Sequence, residues 1–182
     1  GLAANTVFIR DFDPYRAFSA LEPVLAEVAE KLPNRVLLAP TLGDILHQHG
    51  QEYIAVGVGT TGNAYMQNPN AALVGGATIH TEFCLPYGLH EEITARFGPW
   101  PDMANPNVAN YARAVDIMTE YVLTERKPAV SLIWSSDPDG SQHAHGVGSD
   151  VANRSIRQVD EEFGRLLSWL RGTGASGETD IL

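Results

Sequence analysis

Short apolar runs, each separated from the next by a stretch with helical spacing, constrain this chain more than any other feature. Residues 6–9, 35–38, 53–58, 71–80 and 129–134 read as extended, with Gly75-Gly76 marking a bulge or a close backbone approach inside the fourth run. Between them, apolar residues recur three or four positions apart. Residues 107–126 carry Ala109, Ala112, Val115, Met118 and Val122, and residues 149–171 carry Val151, Ile156, Val159, Phe163 and Leu170. Helices are also expected over 15–32, divided by Pro23, over 40–49, opened by Pro40-Thr41 and stopped by Gly50, and over 90–97. Such alternation buries one face of every element only if helices cover a sheet. The expected fold class is α/β, with a mostly parallel sheet and helices on both faces. Residues 1–182 are read as one domain with an irregular, loop-rich insertion at 80–105. The aromatics of that insertion, Phe83, Tyr87, Phe97 and Trp100, are read as a satellite core under a long loop rather than as a wall beside a site.

Charge removes whole classes of function. The formal net charge is −10 over 182 residues, and no Lys/Arg cluster supplies the basic face that nucleic acid polymers or anionic membranes require. No apolar run approaches the roughly 20 residues that span a bilayer. Cys84 stands alone, so no intrachain disulfide can form.

The densest chemistry follows the last extended run. Trp134 to Gly146 contains Asp137, Asp139, His143 and His145 and reads as a polar loop at the carboxyl end of a buried parallel strand, where open α/β sheets bind ligands. A carboxylate oxygen and a neutral imidazole nitrogen are common donors to zinc and similar ions. Asp139 and His143 are near enough in sequence to reach one ion, with Asp137 and His145 as neighbours. The plain alternative is a solvated turn, since Asp-Pro and Asp-Gly are favoured turn pairs. A second motif competes. Gly57-Val58-Gly59-Thr60-Thr61-Gly62 is a literal G-x-G-x-x-G after a strand, but the residues that follow are read as breaking before they can form the helix that receives a pyrophosphate.

The segment Asp139-Gly140-Ser141-Gln142-His143-Ala144-His145-Gly146 resembles the Asp-x-x-Gly-His-x-x-Gly stretch of the type I phosphodiesterase/nucleotide pyrophosphatase family, within the alkaline phosphatase superfamily. Asp137-Pro138 resembles that family's Glu-Pro, and Ala39 to Leu46 is similar to its helix opening before a strand. Gln142 stands where the family has Gly. The resemblance implies an alkaline-phosphatase-like core and hydrolysis of small-molecule phosphate mono- or diesters. It further implies a phospho-Thr or phospho-Ser intermediate on two divalent metals, zinc foremost, and an extracytoplasmic location. By residue-for-residue carry-over, Asp139 and His143 are two of three protein ligands of one metal, and His145 flanks the substrate phosphate.

Residues 1–6 look like the stretch after the family's nucleophile, and residues 180–182 like the strand before its Asp-His-Gly. The chain is therefore expected to be an internal portion of the catalytic domain, inactive alone and holding at most one weakly bound ion. Thr41, Thr60, Thr61 and Thr78 lie in no nucleophile-like context. The alternatives are a sulfatase- or phosphomutase-like parent, or a noncatalytic nucleotide-binding or interaction domain.

Overall fold

A computed structural model describes residues 5–32 and 36–182. Two compact units are present, Gly1–His90 with Pro128–Leu132 and Glu91–Lys127 with Ile133–Leu182.

In the first unit, β1 (Thr6–Val7) pairs antiparallel with β2 (Phe18–Ser19). Helix α1 (Glu22–Lys31) follows, with Pro23 in its first turn. The helix expected over 15–32 is therefore confined to its second half. Proline lacks only an N–H that a first turn leaves unbonded, so it starts this helix instead of dividing it. The Asp13 carboxylate accepts the Tyr15 and Arg16 N–H groups, which commits the preceding residues to a turn. Of the run at 35–38, Arg35 lies outside the described residues and 36–38 form no strand.

Helix α2 (Leu42–Gln48) opens on a capping box. Thr41 Oγ1 accepts the Asp44 N–H and the Asp44 carboxylate accepts the Thr41 N–H. Strand β3 (Tyr53–Gly57) is wholly buried. Helices α3 (Thr61–Gln67) and α4 (Ala71–Val74) then cross to β4 (Ala77–His80), parallel to β3 from Ile54↔Ala77 to Gly57↔His80. The extended run expected over 71–80 is thus half helix. Gly75 and Gly76, at φ of 79° and 85°, make the turn between the two halves. A Cβ on Gly76 would strike the Tyr53 carbonyl, so close backbone approach is the reason for that glycine. Strand β5 (Cys84–Leu85) adds antiparallel to β4, and β6 (Val130–Trp134) lies on the far side of β3, giving the order β5-β4-β3-β6. The result is a mixed α/β fold around a mostly parallel sheet. Strand β6 corrects one expectation. It ends the sheet, and Val130 is 36% and Trp134 45% exposed, so its apolar run is that of an edge strand rather than a buried one. Leu25, Val28, Ile54, Val56 and Ile79 are fully buried.

The second unit is helical. Helix α5 (Leu89–Phe97) enters it, and α6 (Val108–Ile117) continues without a break into a π-helical stretch (Met118–Arg126) that Lys127 closes at φ 49°. Helix α7 (Asp139–His145) occupies what was expected to be a loop. Helix α8 (Asp150–Thr173) runs from a Ser149 cap, whose Oγ accepts the Ala152 N–H, to Gly174 at φ 78°. Arg165 of α8 donates to the Ala112 carbonyl (2.8 Å) and pairs with Asp116, tying α8 to α6. Residues 178–182 form no strand.

Candidate metal centre

The geometry of α7 begins two residues before it, at Asp137. This carboxylate is 7% exposed and accepts from the Asn107 N–H, the Ser141 N–H (3.1 Å) and the Ser141 hydroxyl (2.6 Å). A buried carboxylate needs such donors to offset its lost hydration. It finds them in the backbone entering α6 and in the first turn of α7, where N–H groups have no helical partner. Asn105 closes the other side of Ser141. Its amide donates to the Gly140 carbonyl (3.2 Å), and its Oδ1 lies 2.8 Å from Ser141 Oγ, so the one hydroxyl proton is shared between two oxygens. Asn107 continues the network, donating to Ser136 Oγ (3.3 Å) and accepting from Asn110 (2.7 Å).

This anchoring makes the segment helical, and helicity decides which side chains meet. At 100° per residue, positions four apart share a face, so Asp139 and His143 lie one above the other. Asp139 Oδ1 and His143 Nε2 are 3.4 Å apart, and both side chains are 82% exposed. That separation is long for a charge-assisted hydrogen bond, which runs about 2.7–2.9 Å. It suits an edge of a tetrahedral shell, since two donors about 2.0–2.2 Å from one ion lie about 3.4 Å apart. Two such donors would supply half of a four-coordinate ion's shell. Among the described residues, no group of three or more His, Cys, Asp and Glu converges. His145 is exposed and lies two residues past His143, about 200° around the helix, so the structure does not bring it to the pair.

The profile of the type I phosphodiesterase / nucleotide pyrophosphatase family matches residues 1–182. The chain belongs to that family. No curated protein and no solved structure matches it. The type I phosphodiesterases are phosphoester hydrolases, and the mixed α/β sheet accords with an alkaline-phosphatase-like core.

In the first unit, the G-x-G-x-x-G stretch has a structural role. A short helix is present, contrary to expectation: α3 opens inside the stretch at Thr61, but it ends at Gln67 after about two turns, where the sequence reads as breaking. The start of α3 is already taken, however. Thr61 Oγ1 accepts the Glu22 N–H (3.2 Å), and a Cβ on Gly62 would overlap the Ala20 carbonyl oxygen. The Gly59 carbonyl is bound by His80 Nε2 (2.9 Å). Two of the other threonines are engaged as well: Thr41 caps α2, and the buried Thr78 hydroxyl donates to the Asn68 carbonyl (3.2 Å). Reasoning from sequence missed the Asn105–Asp137–Ser141 network. Asp137 four residues before Ser141, flanked by Pro138, was the available helix-start signal.

Proposed function

We propose that this chain contributes half of one divalent-metal shell to a hydrolase of small-molecule phosphate esters. The observation that supports this is the Asp139–His143 pair, an oxygen and an imidazole donor that lie 3.4 Å apart on one exposed helical turn. Asp139 and His143 would be two of three protein ligands of one ion in a two-ion centre, with zinc favoured by the oxygen-plus-imidazole donor set. When bound, such ions polarise the phosphoryl oxygens and favour the alkoxide of a Thr or Ser nucleophile, consistent with a phospho-Thr or phospho-Ser intermediate. The chain's own residues orient donors. Asp137 and Ser141 hold the first turn of α7, Asp139 presents its carboxylate, and His143 presents Nε2 as a lone pair when its ring is neutral. His145, at the end of the same helix, would flank the substrate phosphate. With two donors converging among the described residues, the shell is half filled, and the chain is expected to bind weakly and not to turn over. The family resemblance is also the ground for proposing an extracytoplasmic location.

Zinc calorimetry on the chain tests the reading. Weak, single-site binding is expected, lost in Asp139→Ala. Tight stoichiometric binding that ignores this substitution would refute the assignment.

A further inference from the structure

We propose that Asp137 is the positioning residue of the Asp139–His143 pair, acting through a lock that sets the backbone of α7 before any ion arrives. The inference rests on the reading that this pair holds a divalent ion. A helix of 7 residues is marginal by itself in water, because nucleation orders several residues for one hydrogen bond. Something outside α7 must hold its first turn. Asp137 does so from two directions, taking the Ser141 N–H and hydroxyl on one side and the Asn107 N–H on the other.

Ser141 is fully buried and lies midway in sequence between the two donors, about 200° around the helix from each. Locking it therefore fixes the face that Asp139 and His143 share without touching either side chain. Asn105 adds a second grip on the same turn through the Gly140 carbonyl and Ser141 Oγ. The donors are both 82% exposed and keep their rotamer freedom, so a rigid backbone is the main ordering supplied in advance. An Asp at 137 can accept all three hydrogen bonds. An Asn there has one acceptor oxygen and turns its NH2 toward N–H donors.

The test is zinc affinity by calorimetry on the full 182-residue chain, with far-UV circular dichroism and melting temperature recorded for every variant. Asp137→Asn is expected to stay folded and bind zinc about 5- to 30-fold more weakly, the equivalent of ordering about one backbone residue anew. A folded Asp137→Asn with wild-type affinity overturns the proposal. If that variant does not fold, Asn105→Ala decides, since Asn105 is exposed and removes only the outer grip. About threefold or greater weakening at an unchanged melting temperature supports the lock, and unchanged affinity overturns it. Asp139→Ala separates the two levels. If it binds zinc like wild type, the metal pair itself is wrong and the lock falls with it. If it loses binding while folded Asp137→Asn keeps it, only the lock falls.

Discussion

Replacing Gly62 by alanine is expected to cost about 3 kcal/mol or more of stability, at the top of the range for overpacking. The added Cβ would overlap the Ala20 carbonyl oxygen and lie 2.8 Å from the Ala20 carbonyl carbon and 3.2 Å from Leu21 Cα. These are backbone atoms, so no rotamer change relieves the clash. Relief requires parting α3 from the chain entering α1, which breaks the Glu22 N–H to Thr61 Oγ1 bond. It also loosens the cluster of Leu25, Ala64, Tyr65 and Leu85. Gly88 is the control. Nothing lies within 4 Å of a Cβ there and its φ is not left-handed, so Gly88→Ala should stay within about 0.5 kcal/mol of wild type. Urea denaturation of both variants measures the difference. A Gly62→Ala chain as stable as wild type would show that α1 and α3 do not meet this closely.

The second large effect is a loss of stability in mild acid, centred on His80. Its side chain is fully buried at the end of β4. The Gly59 carbonyl can only accept, so Nε2 carries the proton, and Nδ1 accepts the Glu82 N–H (3.2 Å). The neutral ring is thus satisfied at both nitrogens. A second proton would point at the Glu82 N–H and leave a charge in a buried site, and this burial holds the His80 pKa below the ordinary histidine value. The unfolded chain then binds a proton near pH 6.5 that the folded chain refuses. The contribution is complete above about pH 6.5 and declines as pH falls from there toward the folded-state pKa. Its limiting slope is about 1.4 kcal/mol per pH unit for one proton. Urea titrations between pH 7.5 and 5 on wild type and His80→Gln should show the steeper decline in wild type. Superimposable profiles would mean that His80 accepts its proton in the folded state.

Elements whose pattern is local were legible in the sequence. Helix α8 has its Ser149 cap, its amphipathic repeat and Gly174, and α2 has Thr41 with Asp44 three residues on. The misreadings occur where distant groups decide. Nothing near Asp139 reveals that Asn105 and Asn107, some thirty residues earlier, anchor the turn that makes α7 helical. Nothing in the apolar run of β6 reveals that it ends the sheet. Nothing beside the third glycine of the G-x-G-x-x-G stretch reveals that the Ala20 carbonyl packs against it. For the site, residue types and spacing marked the segment 137–145, and the family resemblance singled out Asp139 and His143 within it. Their shared face followed only from the helix, which is a property of Asp137 and its partners.

The central claim, that Asp139 and His143 share one ion through His143 Nε2, is tested most directly by nitrogen NMR of the imidazoles during a zinc titration. The chain has 6 histidines, so each ring reports separately. Zinc is expected to shift His143 Nε2 before any other ring nitrogen, and Asp139→Ala to abolish the shift. A first response at another histidine, or an undiminished His143 shift in Asp139→Ala, would contradict the claim.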